Sequence, residues 1–288
     1  MLGRVCANDI DVPIGKAVYT QWLNERGGIE ADLTVTREAE DAFLIVTSCA
    51  TQTRDFTWLC RSIPDEARAV AFDVSCAYAV LGLMGPRSRE LLATLTDADL
   101  STAAFPFATS QIIDLGYARV RASRITYVGE LGYELYIPTE FAQSVYDVIV
   151  GAGGPFGLRL AGYHAMNSLR MEKAYRHWGH DIGDEDTPLE AGLRRRLVAI
   201  VLERADRLLY HNEPIWRNDE LVGRISSGMF GHTLGASLGL GYLANGGAPV
   251  SAEWIAAGHY EVEVAAERVP ARVSLRPFYD AAGERVKG

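Results

Sequence analysis

The stretch that most restricts the fold is Lys16 to Thr36, KAVYTQWLNERGGIEADLTVT. An apolar and aromatic run, Ala17 to Leu23, leads into Asn24-Glu25-Arg26-Gly27-Gly28, and a second run, Ile29 to Val35, leads out. Two strand-length runs around a glycine-paired turn predict a β-hairpin, with the glycines supplying the positive φ of a tight reversal. In the outgoing run Ile29, Ala31, Leu33 and Val35 share one face, and Glu30, Asp32, Thr34 and Thr36 share the other. Asp is disfavoured in mid-strand, so Asp32 has two readings. It stands either on the wet side of an antiparallel sheet or in a pocket as a functional carboxylate. The hairpin taken alone favours the wet face.

A chain of 288 residues can bury a large core and hold two or three domains. Its formal net charge of −9 argues against a nucleic-acid partner, while leaving room for a local basic pocket. No apolar run approaches the length of a membrane span, and the N-terminal MLGRVCANDIDVP shows no signal-peptide core. Cys6, Cys49, Cys60 and Cys76 form no C-x-x-C and have no histidine at ligand spacing. Free thiols in a reducing, cytoplasmic setting are therefore expected, with no metal site and no disulfide frame. H-E-x-x-H, a Walker loop and G-x-G-x-x-G are all absent, which removes the usual warrant for zinc hydrolysis, nucleotide hydrolysis and an FAD or NAD site.

Residues 41–49 read as a strand and Thr51–Arg61 as a helix. Residues 69–84 read as paired buried strands, and Ser88–Leu95 as a helix opened by Gly85-Pro86-Arg87. A β stretch at 110–127 precedes Gly129-Glu130-Leu131-Gly132, a turn feeding a strand in which Glu134 lies between Tyr133 and Leu135. Residues 140–150 form an amphipathic helix, and the glycine-rich 151–157 reads as its cap and linker. A second helix spans 160–176, with Leu160, Tyr163, Met166 and Leu169 at core spacing. Asp181, Asp184, Glu185 and Asp186 lack the order of a calcium loop and read as a solvated acidic loop. Arg194-Arg195-Arg196 reads as a basic strand edge. From Leu197 onward, short strands with Gly and Asn turns predict a barrel or sandwich, with a domain boundary near 194–197.

Several of these stretches, taken in order, resemble the aminomethyltransferase family: the folate-binding T-protein of the glycine cleavage system and the homologous C-terminal halves of dimethylglycine and sarcosine dehydrogenases. They are Tyr19 with GGIEADLTV, MGPRSRELL at 84–92, Tyr127-Val128 with GELGYELY, and SLRMEKAYRHWGHDI to TPLEAGL at 168–193. SSGMFGHTLGASLGLGY at 226–242 and RPFYD at 276–280 resemble the family's C-terminal domain. The wording SLRMEKAYRHWG and RPFYD is more similar to the dehydrogenase-fused branch. The resemblance implies an α+β fold, a three-domain cloverleaf around a central folate channel, with two mixed α/β domains and a C-terminal β-barrel. It groups residues 1–50 with 128–193 as a discontinuous folate-binding domain, 51–127 as a second α+β domain, and 194–288 as the barrel.

By the same resemblance Asp32 matches the family's key aspartate, Tyr19 a tyrosine near the folate, and Glu134 a pterin-binding glutamate. Tyr127 and Tyr175 match pocket aromatics, and Arg285 a C-terminal arginine. The chemistry suits these residue types. An ionised carboxylate accepts adjacent N–H donors of a flat ring, and aromatic faces cover it. A carboxylate near the reacting nitrogen can take or relay its proton. Three departures from the family pattern stand out. The strand–helix unit expected before LGRVCANDIDVP is missing, and so is a connector between EAGL at 190–193 and RRRLV. Met166 and Asn167 stand where the T-protein carries Arg and Asp. The expected activity is tetrahydrofolate-dependent one-carbon transfer from glycine-derived or N-methylglycine-type amines. The alternative is a non-catalytic folate-binding scaffold docking on an FAD-dependent oxidoreductase domain or subunit. An O- or S-demethylase of the same family is a third reading.

Overall fold

A computed structural model describes residues 1–188 and 195–288. The junction where the connector is expected to be missing lies outside the described residues. β1 (Ala17–Leu23), β2 (Ile29–Arg37) and β3 (Phe43–Val46) form an antiparallel sheet. The hairpin pairs Gln21 with Asp32 and Tyr19 with Thr34. Leu33 and Val35 are buried with Trp22, Ile10 and Leu59 of α1 (Gln52–Arg61). Each such aliphatic side chain contributes about 1.5–3 kcal/mol of burial, enough to hold the register against a one-residue slip.

The two turn glycines have different tasks, which corrects the expectation that both supply positive φ. Only Gly27 does, at +81°. Gly28 is required for space, because a Cβ there would lie 1.9 Å from the Asp184 carbonyl oxygen. Asn24 Oδ1 closes the turn, accepting from the backbone N–H of Gly28 at 2.8 Å and of Arg26 at 3.0 Å.

The second sheet has the order β4 (Tyr78–Met84), β7 (Gly132–Pro138), β6 (Ala118–Ser123), β5 (Ser110–Leu115). α2 (Ser88–Ala93) and α3 (Ala142–Ala152) cover one face, where Tyr133, Leu135, Ile137, Val120 and Ala122 meet Leu91, Val145 and Ile149. β7, which the resemblance groups with residues 1–50, is hydrogen-bonded between β4 and β6. The expected strand pair in 69–84 reduces to β4. Val70 and Phe72 are each 76 % exposed, and β4 finds its partner in β7 instead. An apolar run shows that a strand is favoured but not which strand it pairs with.

α4 (Tyr163–Glu172) precedes a closed barrel of order β10-β11-β8-β13-β12-β9. Its members are β8 (Arg195–Leu202), β9 (Pro214–Arg217), β10 (Glu220–Gly231), β11 (Ala236–Ala244), β12 (Tyr260–Val264) and β13 (Glu267–Ser274). α5 (Ala252–Ala256) packs on it through Ile255, and α6 (Glu284–Lys287) ends beside Arg124 and Thr102 of the second sheet's part of the chain. Closure leaves no edge, so Arg195 and Arg196 are not edge residues. Arg195 lies 4.6 Å over the Tyr242 ring, and Arg196 donates to the Val250 carbonyl at 3.0 Å.

The face of α4 also differs from expectation. Leu160 and Tyr163 are 72 % and 78 % exposed. The buried side chains are Ser168, Arg170, Met171 and Glu172. Met171 packs on Leu197, Ala199, Leu238 and Leu240, the barrel residues alternating with its interior, while Glu172 Oε1 accepts from the backbone of Thr233 and Leu234 at 2.7 and 3.0 Å. Polar docking on the barrel, which periodicity does not register, decides the helix face. The first two sheets are joined through the backbone, with Ala17 N–H donating to Ala108 O and Ser110 N–H to Gly15 O. Arg121 and Glu38 form an ion pair at 2.6 Å across the gap.

Candidate active site

In the hairpin, Tyr19 and Asp32 are diagonal neighbours on one face, a separation a tyrosine can bridge. The Tyr19 hydroxyl donates to Asp32 Oδ2 at 2.8 Å. Burial pushes the Asp32 carboxyl above its usual range; Tyr19's hydrogen bond and the nearby His177 oppose this, and Asp55 adds to it. Burial and the Asp32 charge likewise push the Tyr19 phenol up.

The turn after β6 and the loop after α4 meet this hairpin face. Tyr127 and Tyr175 lie nearly parallel, with centroids 6.2 Å apart and planes at 19°. The Tyr127 hydroxyl donates to the Arg176 carbonyl at 2.8 Å. Burial pushes the Tyr127 phenol up to about 12, with Arg170 opposing and the Asp181 and Asp32 charges adding. Burial, then the Asp280 charge, push Tyr175 up as well. Asp32, Tyr19, Tyr127 and Tyr175 are thus brought together from three parts of the chain.

The loop holding them depends on a carboxylate that the sequence reading assigned to solvent. Asp181 is buried against Arg170 at 2.6 Å, their side chains 0 % and 2 % exposed. Asp181 Oδ2 also accepts the His177 N–H at 2.9 Å, and Oδ1 accepts the Ser226 hydroxyl at 2.6 Å. Arg170 also donates from Nε to Asn167 Oδ1 at 2.7 Å and from Nη1 to the Tyr175 carbonyl at 2.9 Å. The correction has a physical cause: a guanidinium from α4 and a hydroxyl from β10 neutralise and saturate the carboxylate, so it can leave water. The loop is pinned to the hairpin by Trp178 Nε1, which donates to the Ile29 carbonyl at 2.8 Å, and by Arg54, which lies 4.6 Å over the Trp178 ring. His177 stacks on His180 at 4.7 Å, and burial and the His180 and Arg170 charges hold it below its usual value.

Glu134 occupies the open face of the second sheet, because Tyr133 and Leu135 on either side point into the core. Tyr136, two residues on and so on the same face, donates to Glu134 Oε2 at 2.6 Å. Burial pushes the Glu134 carboxyl up, with Tyr136 opposing. Arg121, paired in register with Tyr136, ion-pairs with Glu38 beyond β2, so this face looks toward the hairpin sheet. Among the described residues Glu134 makes no hydrogen bond to the Asp32 cluster. Arg285 lies apart from both, half-exposed, 3.5 Å from Glu130. The sequence reading missed Tyr136, which period-2 spacing from Glu134 reveals, and His177, Arg170 and Asp181, which no local pattern marks. Among the described residues no cluster of His, Cys, Asp or Glu is arranged to hold a metal ion.

The donor set suits a flat, N–H-rich ring such as a pterin. Asp32 and Glu134 are both partly buried, and each spends one oxygen on a tyrosine, with no further side-chain hydrogen bond to another residue among those described. Each carboxylate thus keeps acceptor capacity of the kind that N–H groups of a ligand can fill.

Comparison with known proteins follows the same division of the chain. The family model for the GCVT N-terminal domain matches residues 1–199, and that for the glycine cleavage T-protein C-terminal barrel domain matches residues 195–280. A 4-methylaminobutanoate oxidase (formaldehyde-forming) of Paenarthrobacter nicotinovorans is 40 % identical over 97 % of this chain and 36 % of its own length. The mitochondrial sarcosine dehydrogenase of Mus musculus is 35 % identical over 97 % of this chain and 35 % of its own. The chain therefore spans about a third of the length of these relatives. An aminomethyltransferase of Listeria monocytogenes is 31 % identical over 98 % of this chain and 81 % of its own. These alignments run over 306 to 321 positions, more than the chain's 288 residues, so the relatives carry additional residues inside the matched span. The crystal structure of aminomethyltransferase T from Bartonella henselae shares the fold, with a TM-score of 0.79 and 23 % identity over 96 % of this chain and 80 % of its own.

Proposed function

The chain belongs to the glycine cleavage T-protein family, and on that premise we propose that it transfers a one-carbon unit to tetrahydrofolate. The observation that carries this reading is the Tyr19–Asp32 pair on the hairpin face that meets Tyr127. Tetrahydrofolate, when bound, supplies the nucleophilic nitrogen. Asp32 is the group that takes the proton leaving that nitrogen. Its raised pKa brings it closer to a working base than an exposed carboxylate, whose conjugate acid is too strong to hold a proton. Tyr19 orients the carboxylate through Oδ2, and Oδ1, with no side-chain partner from another described residue, would be the oxygen that takes the proton. Glu134 accepts ring N–H donors, with Tyr136 fixing its other oxygen, and Tyr127 and Tyr175 cover an aromatic face. Arg285, beside Glu130 and apart from both groups, has no part in this reading.

The one-carbon donor is, in this proposal, the formaldehyde-level product of oxidative demethylation of a secondary methylamine. It arrives from a flavoprotein oxidoreductase domain or subunit, in keeping with the names of the longer relatives. Free, exposed Cys49, Cys60 and Cys76 support a reducing, cytoplasmic location, and among the described residues no helix is long and apolar enough to cross a membrane. Calorimetric titration with tetrahydrofolate, followed by turnover with tetrahydrofolate and formaldehyde, tests the reading. Micromolar binding with product formation is expected. Absence of binding at millimolar ligand sinks it, and tight binding without turnover selects the scaffold reading instead.

A further inference from the structure

After β13, residues 275–288 leave the barrel and cross to the second sheet, and their contacts converge on the end of α4. Lys173, directly after α4, is buried. Its Nζ lies 2.5 Å from Asp280 Oδ2 and also donates to the Asp280 carbonyl. The Lys173 stem lies against Gly129, where a Cβ would come within 2.8 Å of Lys173 Cγ. Asp280 adopts a left-handed backbone (φ +43°) and accepts from the backbone of Glu284 and Arg285 at 2.9 and 3.3 Å. Tyr279 donates to Glu130 Oε1 at 2.5 Å. Further on, buried Arg124 donates to the Lys287 carbonyl, and Thr102 to the Gly288 carbonyl at 3.2 Å.

These contacts bracket the aromatic pair of the site. Tyr127 stands two residues before Gly129, and Tyr175 two residues after Lys173. Between Lys173 and Tyr175, Ala174 turns the chain at φ +53°, and the Tyr175 N–H returns to the Arg170 carbonyl at 3.0 Å. The direction of Tyr175 is therefore set by where α4 ends, and the position of Tyr127 by the Gly129 turn. One side chain, Lys173, touches both.

We propose that Lys173 and Asp280 are positioning residues for the ligand pocket: their ion pair clamps the end of α4 onto the Gly129 turn and so sets the spacing of Tyr127 and Tyr175. The proposal rests on the reading that this pair walls a folate pocket. A buried ammonium without its carboxylate is costly, so the lysine holds its place only while the C-terminal strap is docked. Docking of a segment from the barrel is thereby coupled to the geometry of a wall built from the other two parts of the chain.

Two measurements on the full chain test it. The first is the near-ultraviolet circular dichroism of the stacked tyrosines, defined as the difference between the unaltered chain and Tyr175→Leu. The second is tetrahydrofolate affinity by calorimetry. Asp280→Asn is expected to lose more than half of the stacked-tyrosine signal and to weaken affinity about tenfold. Asp280→Glu should recover part of both. Thr102→Val, which removes a strap contact remote from Lys173, should change neither. If Asp280→Asn lowers the melting temperature but keeps the tyrosine signal, the pair is merely structural and the proposal is overturned. Should Asp280→Asn fail to fold, Lys173→Arg decides: it keeps the charge but its planar fork cannot take the same two acceptors over Gly129, so an undiminished tyrosine signal overturns the proposal. Loss of the tyrosine signal in a chain that binds no tetrahydrofolate leaves the positioning role standing and removes the folate reading.

Discussion

Two carboxylates flank the Arg176–Trp178 segment, and they are satisfied in opposite ways. Asp181 is closed off: a guanidinium, a backbone N–H and a hydroxyl take up both oxygens, and its counter-charge Arg170 also bonds Asn167 and the Tyr175 carbonyl. Among the described residues Asp32 has one hydrogen-bond partner from another residue, the neutral Tyr19, and burial pushes its pKa up against the opposing Tyr19 bond and His177. The first pattern is that of a structural joint, tying α4 and its loop to the barrel. The second is that of a group left short of donors until a ligand supplies them. Burial alone does not separate a working carboxylate from a structural one; the completeness of its partner set does.

The contrast is tested most severely at the joint. Arg170→Met strands a buried carboxylate and should cost about 3–5 kcal/mol in denaturant unfolding, and Arg170→Met combined with Asp181→Leu should recover most of that. A loss below about 1 kcal/mol for the single change, within the range of surface ion pairs, erases the distinction. At Asp32, the proposed base, Asp32→Asn should keep tetrahydrofolate affinity while turnover falls about 10²- to 10⁴-fold, the range for removing a general base. An equal loss of affinity and turnover means that Asp32 binds and does not react.

Tyr19→Phe should have a milder effect, about tenfold on turnover, as expected for removal of a hydrogen bond to a charged group. Because the Tyr19 hydrogen bond holds the Asp32 pKa down against burial, its loss should move the acid limb of the pH–rate profile to higher pH. A limb that moves to lower pH contradicts this electrostatic account. The smallest effect is on stability. A carboxyl raised in the folded state favours folding while it is protonated, and that contribution is lost as pH rises through its folded value. Asp32→Asn should therefore melt above the unaltered chain at pH 8, with the gap closing as pH falls below the ordinary carboxylate range near about pH 4. A gap that widens in acid reverses the sign and removes the desolvation argument.

How much of this was legible beforehand depends on the range of the interaction concerned. The alternation of Ile29, Ala31, Leu33 and Val35 put Asp32 on the correct face, because a strand's period is local. Short strands with Gly and Asn turns announced a barrel or sandwich, and a closed barrel is what forms. The same local reasoning failed at α4, where Leu160 and Tyr163 have the spacing of a core face yet lie in solvent, and at Asp181, where an acidic run suggested water. In both places the outcome was set by groups outside the local pattern, Thr233 and Leu234 for Glu172, and Arg170 and the distant Ser226 for Asp181.

The sequence by itself determined the hairpin, the residue types of the site and, through the ordered set of motifs, the family. Local backbone preference, period-2 burial and glycine-dependent turns are all properties of neighbouring residues, and they act before any distant contact exists. Only the tertiary structure decided which carboxylate is saturated and which is left waiting, that β7 pairs with β4 and β6, and that Lys173 reaches both Gly129 and Asp280. Those outcomes depend on desolvation and on partners brought together by folding, and the free energy of a charge is set by its surroundings in space, not along the chain.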